Sequence, residues 1–178
     1  MDGRDKGLVE IGGKPLIAYV VAALRGQSGR LLICANRNAA EYAPFAEVVA
    51  DAATGYRGPL AGIATALACC ATPWLLTVPV DAPQPPRDLA LQLWSAAARS
   101  GAEAAVAFEG VRPQPMFALY RSRLAESAAT ALASDLPVWR WQQQLRAVEV
   151  FFDDGIGLFA NLNNADDVSA WEQAHADT

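Results

Sequence analysis

The sequence has little of what several common catalytic and metal-binding sites require. Histidine occurs once, at His175, which nearly excludes a histidine-based zinc site or a Ser-His-Asp triad. Cysteine occurs three times, and this odd count favours reduced thiols over a disulfide framework. No apolar run reaches the about 18 residues of a transmembrane helix, and the first residues do not resemble a signal peptide. We therefore expect a cytoplasmic protein.

The overall composition favours one folded domain over residues 1–178. The chain has 178 residues, of which 53% are hydrophobic, and this is sufficient for a substantial core. Its net charge of −5 argues against nonspecific binding to nucleic acid or to an anionic membrane surface. We therefore expect neither nucleic acid nor a membrane among its partners. Lysine is rare, since only Lys6 and Lys14 occur.

Predicted strands and helices alternate along the chain. Short apolar runs predict strands at residues 31–35, 48–50, 74–79, 104–108, 115–120 and 147–152. Helical spacing predicts helices at residues 15–26, 39–45, 59–71, 87–99, 123–132 and 138–145, with a last helix from Ala165. A turn at Gly110 predicts a hairpin. The alternation predicts an α/β fold, a three-layer α/β/α domain with a Rossmann-like, mostly parallel sheet.

The run from Trp74 to Asp81 is the most informative stretch. It predicts a buried strand that ends at Pro79, because proline cannot donate a hydrogen bond to a neighbouring strand. Asp81 then follows the carboxyl end of the strand, where open α/β sheets bind ligands. A carboxylate there suits Mg²⁺ that bridges to phosphate oxygens. The alternative is that Asp81 belongs to a turn or caps the helix near Pro86.

Polar residues also follow the neighbouring predicted strands. Asn36 follows the strand predicted at residues 31–35, and Asp51 follows the strand predicted at residues 48–50. Gly58 comes before a helix that begins at Pro59, and the N–H groups of such a helix start can bind an anion. The clustering of these groups at one sheet edge predicts a binding site there.

Six short motifs carry a family resemblance. They are Asp5-Lys6-Gly7-Leu8, Gly13-Lys14-Pro15-Leu16-Ile17, Ala35-Asn36-Arg37, Gly58-Pro59-Leu60-Ala61-Gly62, Val78-Pro79-Val80-Asp81 and Asn161-Leu162-Asn163. In this order they resemble molybdenum cofactor guanylyltransferase, the MobA-type nucleotidyltransferase family, from Met1 to about Glu172. The resemblance implies the fold of the nucleotide-diphospho-sugar transferases.

The resemblance also implies an activity and its partners. The enzymes of this family transfer GMP from GTP to molybdopterin cofactor, depend on Mg²⁺, and release pyrophosphate. The implied partners are GTP and molybdopterin, together with molybdoenzymes or cofactor-delivery proteins. Two alternatives stay open: a nucleotidyltransferase for another substrate, by cytidylyl transfer to the same cofactor or to a sugar phosphate, and an inactive cofactor-binding remnant.

The resemblance assigns the metal and phosphate site. Asp81 would hold Mg²⁺, with Asn161 or Asn163 completing the ligand shell as a neutral oxygen. Lys6 would place a positive charge on the phosphates. The alternatives are a solvated lysine at Lys6 and an asparagine helix cap before Ala165.

The resemblance further assigns residues to the two substrates. Asn36 and Asp51 would bind the guanine or the ribose, while Arg112 and Gln114 would face the pterin. The alternative for Arg112 and Gln114 is a polar turn before a strand.

The tryptophans of the helix predicted at 138–145 admit two interpretations. Trp139 and Trp141 either stack on the pterin or, as is more common, pack in the core.

The chain departs from the family pattern at its front. The family begins with a strand and a glycine-rich loop, and residues 1–7 match only the end of that loop. We expect the missing strand to be central in the sheet. A start assigned at an internal methionine, a shortened chain or a loss of activity would each account for this departure.

Overall fold

The computed structural model describes residues 5–50, 58–152, 159–162 and 165–174. The strands are β1 (Glu10–Ile11), β2 (Lys14–Pro15), β3 (Leu32–Cys34), β4 (Glu47–Val49), β5 (Trp74–Thr77), β6 (Ala104–Phe108), β7 (Pro113–Arg121) and β8 (Val148–Phe151). The helices are α1 (Leu16–Leu24), α2 (Ala39–Tyr42), α3 (Pro59–Ala68), α4 (Leu89–Ser100), α5 (Ala125–Ala133), α6 (Val138–Gln144) and α7 (Ala165–Ala174), with 3-10 turns at Lys6–Leu8 and Ser122–Leu124. In the described part of the chain, no helix is both long and apolar enough to cross a membrane.

The described strands pair in a mixed pattern. The largest sheet has the order β5-β7-β6-β8, in which β7 is antiparallel to both of its neighbours and β6 is parallel to β8. The strands β3 and β4 form a separate parallel pair, and β1 pairs with β2 as a hairpin. The α/β fold is confirmed, and β5, β6 and β8 run in the same direction, as expected of a mostly parallel sheet, whereas β7 runs in the opposite direction. The reason is the predicted hairpin at Gly110, which is confirmed and reverses β7 relative to β6.

Helices cover both faces of the largest sheet. On one face, α3, α5 and α6 pack against the side chains of Val106 and Tyr120. On the other face, α4 packs against Phe117 and Leu119. Consecutive residues of β7 point to opposite faces, so this strand contributes to both cores. The three-layer arrangement expected from the sequence is present.

A groove of about 1310 Å³ separates β3 from β5. Neither strand has a described partner strand on the edge that borders this groove, because β3 pairs only with β4 and β5 only with β7. All four residues of β5 are only half-buried, although their side chains are mainly apolar. Leu91 and Trp94 of α4 also line the groove and are exposed. The groove therefore combines apolar walls with two strand edges that have no partner among the described strands.

We expect a strand placed in this groove to stabilise the fold. An apolar strand would be added ahead of Met1 and joined to it by a glycine-rich loop. This strand would pair with the edges of β3 and β5. Each buried backbone group that lacks a partner costs about 1–3 kcal/mol, and a domain has roughly 5–15 kcal/mol of stability in total. The extended chain should melt at a higher temperature than the 178-residue chain and bind Mg-GTP more tightly.

An extension of the same length made of glycine, serine and aspartate is the matched control, because it cannot fill an apolar groove. Thermal melting and GTP titration of the three proteins side by side give the answer. A cooperative melt and tight Mg-GTP binding by the 178-residue chain, unchanged by the apolar extension, would contradict the prediction.

Candidate active site

Asp81 lies beyond the end of β5, in contact with Lys6. The strand ends at Thr77, two residues earlier than Pro79, where the sequence predicted its end. The Nζ atom of Lys6 lies 3.0 Å from Oδ2 of Asp81 and donates a hydrogen bond to it. The side chain of Asp81 is 13% exposed and that of Lys6 is 41% exposed. The structure thus brings together the two residues that the sequence singled out for phosphate and metal binding.

Asn161 lies on a segment that contacts the chain at Asp81. The backbone N–H of Leu162 donates a hydrogen bond of 2.8 Å to the carbonyl oxygen of Asp81. Leu162 is buried with Ile11 and Leu16, which anchors this segment. Asn161 therefore lines the same groove as Lys6 and Asp81.

Two predicted site residues cannot be compared with this geometry. Asp51 and Asn163 lie outside the described residues. Their assignments to the nucleotide and to the metal therefore stay predictions.

A second cluster, centred on Asp5, holds the segment that carries Lys6. The hydroxyl of Tyr42 donates to Oδ1 of Asp5 at 2.5 Å, and Nδ2 of Asn38 donates to Oδ2 at 3.0 Å. Nε of Arg37 lies 3.6 Å from the same Oδ2. Burial, together with the hydrogen bond to Asp5, raises the pKa of Tyr42 above its ordinary value. The sequence interpretation missed Tyr42, because its contact with Asp5 arises only when α2 packs.

The carboxyl end of β3 contributes less clearly than predicted. Asn36 is exposed and does not belong to the residues that line the groove. Its neighbours Cys34 and Arg37 do line it. The role of Asn36 in binding the base or the ribose remains a prediction. Arg37 belongs to the same motif and received no role from the sequence, but it lines the groove.

The start of α3 faces the same groove. Gly58 precedes the helix with φ of +72°, a left-handed conformation that favours glycine, and Pro59 is the first helical residue. Gly58 and Pro59 both line the groove, as do Lys6 and Asp81. A helix N-terminus carries a partial positive charge, so it adds to the positive charge of Lys6 on this side.

A second cavity, of about 670 Å³, adjoins the groove. Arg112 and Gln114, which the sequence assigned to the pterin, both line it. Pro79, Met116 and Asn161 line both the cavity and the groove, so the two spaces meet at these residues.

The two tryptophans of α6 have different environments. Trp141 is buried and stacks on Tyr120 with ring centroids 5.1 Å apart, so its core interpretation is confirmed. Trp139 is 48% exposed and lines the second cavity. Only Trp139 therefore presents a surface on which a ligand can stack.

A comparison with known protein families identifies the family of this chain. Residues 1–149 match the model of the MobA-like NTP transferase domain. The chain belongs to this family. The resemblance predicted from the motifs is therefore confirmed.

Members of the family with similar sequences carry a common name. The chain is 37% identical to molybdenum cofactor guanylyltransferase of Shewanella putrefaciens over 169 aligned residues. This alignment covers 94% of this chain and 87% of the relative. The chain is 41% identical over 174 aligned residues to the protein of the same name from Ralstonia nicotianae, and that alignment covers 92% of this chain and 85% of the relative. The chain is therefore similar to these enzymes over most of both lengths.

Solved structures of similar shape confirm the nucleotidyltransferase fold. Molybdopterin-guanine dinucleotide biosynthesis protein A from Archaeoglobus fulgidus has a TM-score of 0.79 at 21% identity, covering 99% of this chain and 93% of that one. 2-C-methyl-D-erythritol 4-phosphate cytidylyltransferase from Thermus thermophilus has a TM-score of 0.73 at 20% identity, covering 96% and 94%.

The packing of Gly7 against Tyr42 gives a testable consequence. A Cβ atom at Gly7 would overlap the hydroxyl of Tyr42. We expect Gly7→Ala to displace Tyr42 from Asp5 and to lower the free energy of unfolding by about 1–3 kcal/mol, as overpacking does. Thermal or urea unfolding measures this change.

Gly29→Ala is the matched control, since a Cβ atom there meets no atom within 4 Å and the residue has no left-handed backbone. It should leave stability nearly unchanged. Equal unfolding curves for the two variants would show that the stability of the protein does not depend on the close approach of Gly7 to Tyr42.

Proposed function

We propose that the chain transfers GMP from GTP to molybdopterin, forming the guanine dinucleotide and releasing pyrophosphate. The observation that carries this proposal is the contact of Lys6 with Asp81 in the groove, which meets the second cavity at Asn161. The similarity to proteins named molybdenum cofactor guanylyltransferase, at 37% and 41% identity, supports the choice of substrates. Molybdoenzymes or cofactor-delivery proteins that take up the dinucleotide are the corresponding protein partners.

The proposed reaction joins two phosphates. An oxygen of the acceptor's phosphate monoester forms a bond with the α-phosphorus of GTP. The bond from this phosphorus to the oxygen that bridges to the β-phosphate breaks, and pyrophosphate leaves with the electron pair. Such a reaction needs the two substrates to be positioned and their negative charges to be neutralised, more than it needs covalent help from the protein.

Lys6 and the start of α3 supply positive charge on the nucleotide side. The ammonium group of Lys6 and the N-terminus of α3 at Gly58 both face the groove. The β- and γ-phosphates leave as pyrophosphate, which gains negative charge as the bond breaks. Groups that stabilise this charge lower the barrier, because they act where charge develops.

Asp81 and Asn161 fit a Mg²⁺ ion that also binds phosphate. Mg²⁺ is commonly held by one or two carboxylates together with substrate phosphates and water. Asp81 would be the anionic ligand and Asn161 a neutral one, and the ion would neutralise phosphate charge.

The second cavity suits the acceptor. Arg112 and Gln114 line it, and its volume of about 670 Å³ lies in the range of small-molecule sites. The cavity meets the groove at Asn161, so an acceptor bound there would approach the nucleotide from the side of Asn161.

The choice of base is the first test. We expect GTP to bind more tightly than CTP or ATP, because the family resemblance includes the segments around Asn36 and Asp51. Calorimetric titration of each nucleotide with Mg²⁺, on a protein that carries a strand in the groove, measures this preference. Equal affinity for CTP and GTP would favour the alternative of a cytidylyltransferase.

The second test is Asp81→Asn. An amide lacks the negative charge that Mg²⁺ requires, so transfer should fall while the fold is kept. We expect a loss on the order of 10–100-fold or more, since even changes around metal ligands have effects of this size. Rates of GMP transfer at several Mg²⁺ concentrations measure it.

Asp135→Asn is the matched control, because Asp135 is exposed, follows α5 by two residues and lines neither cavity, and its left-handed backbone is one that asparagine tolerates. It should transfer GMP normally. Wild-type rates for Asp81→Asn would show that Asp81 is a turn residue.

A further inference from the structure

The second cavity holds two side chains with unused binding capacity, Gln142 and Arg146. Resting on the proposed function, we propose that both recognise the acceptor substrate. Oε1 of Gln142 would accept a hydrogen bond from an N–H group of the acceptor's heterocycle. Arg146 would bind the acceptor's phosphate, and the exposed ring of Trp139 would stack on the heterocycle.

Gln142 is a buried side chain whose amide is fixed in one orientation. It is only 4% exposed. Its Nε2 donates one hydrogen bond to the carbonyl oxygen of Pro115 at 2.8 Å and one to the hydroxyl of Tyr120 at 2.7 Å. These two bonds use both amide hydrogens, so the orientation of the amide is set.

The orientation of Gln142 leaves its oxygen available to a ligand. Oε1 receives no hydrogen bond from the described residues. It is also not among the fully buried atoms that lack a partner, so it is accessible from the solvent. Because Gln142 lines the cavity, this oxygen is a preoriented acceptor there. A nearly buried acceptor gains most from a ligand that donates to it, since leaving such a group unpaired is costly.

Arg146 is held at the cavity by the turn after α6. Its N–H donates to the carbonyl oxygen of Gln143 at 3.0 Å, and its φ of +52° is unusual for a residue other than glycine. Its guanidinium forms no ion pair or hydrogen bond with any described residue. A charged group with no partner in the described part of the protein remains available for an anion.

The lining charges favour a monoanionic or dianionic ligand. Arg112 and Arg146 line the cavity, against the single carboxylate of Glu149 among its described lining residues. Arg112 is only weakly engaged, at 3.4 Å from Glu109. Guanidinium groups bind phosphate in a planar, bidentate manner. A heterocycle that bears both ring N–H groups and a phosphate monoester matches the cavity.

The test measures binding directly, without transfer. The probes are a pterin with a phosphate monoester on its side chain and the same pterin without the phosphate, followed by the pterin's own fluorescence. We expect Arg146→Gln to weaken binding of the phosphorylated pterin about tenfold or more, as loss of a charge-assisted hydrogen bond does, and to leave the unphosphorylated pterin unaffected. Gln142→Met should weaken binding of both.

Two controls separate recognition from structural effects. Arg99→Gln removes an equal charge from the end of α4, outside both cavities, and should change neither affinity. Tyr120→Phe removes one internal partner of Gln142 but leaves Oε1 in place, so it should lower stability and keep pterin binding. Equal effects of Gln142→Met and Tyr120→Phe on pterin affinity would show that Gln142 acts only as a structural residue, and overturn its role.

Other outcomes decide the remaining points. Wild-type affinity of Arg146→Gln for the phosphorylated pterin would overturn the role of Arg146, and no pterin binding by the wild type would overturn the subsite. A GMP-transfer assay on the same proteins keeps the test of the proposed function separate. If GMP transfer fails while the pterin affinities change as expected, the proposed function is refuted and the subsite is retained. If transfer occurs while the variants keep the pterin affinity of the wild type, the subsite is refuted and the proposed function is retained.

Discussion

The ion pair between Lys6 and Asp81 is the contact on which the candidate site depends. It joins the segment before α1 to the chain that leaves β5, across 75 positions of sequence, at a distance of 3.0 Å. A partly exposed ion pair contributes only about 0–1 kcal/mol to stability. Its importance is therefore positional: it places one positive and one negative charge where the proposed function needs a metal-bound triphosphate to engage both.

The surrounding packing, rather than the ion pair itself, fixes these positions. Leu162 is buried and binds the carbonyl oxygen of Asp81, so the chain beyond β5 cannot shift freely. On the other side, Asp5 is held by the hydroxyl of Tyr42, and Gly7 allows Tyr42 to come close. Weak electrostatic attraction becomes a defined geometry because both partners stand on anchored backbone.

The sequence predicts the parts of the site that depend on local patterns. The order of strands and helices, the hairpin at Gly110 and the position of Asp81 after a strand all follow from periodicity and turn chemistry. The partnership of Asp5 with Tyr42 does not, because no local pattern links positions 37 apart. The same holds for Gln142: it begins a run of three glutamines, and only the packing of α6 shows that this one is buried.

The two halves of the proposed site, one for the acceptor and one for the nucleotide, are held by different parts of the fold. The acceptor side uses β7 and α6, which pack against the four-stranded sheet and share the buried contact between Tyr120 and Trp141. The nucleotide side uses the segment of Lys6 and the strand pair β3-β4, which has no described hydrogen-bonded strand in common with that sheet. Local stability follows buried contacts and paired backbone, so the groove should open more readily than the second cavity. If the proposed function holds, nucleotide affinity depends on how the groove between β3 and β5 is filled, while acceptor recognition depends on a core that is already closed.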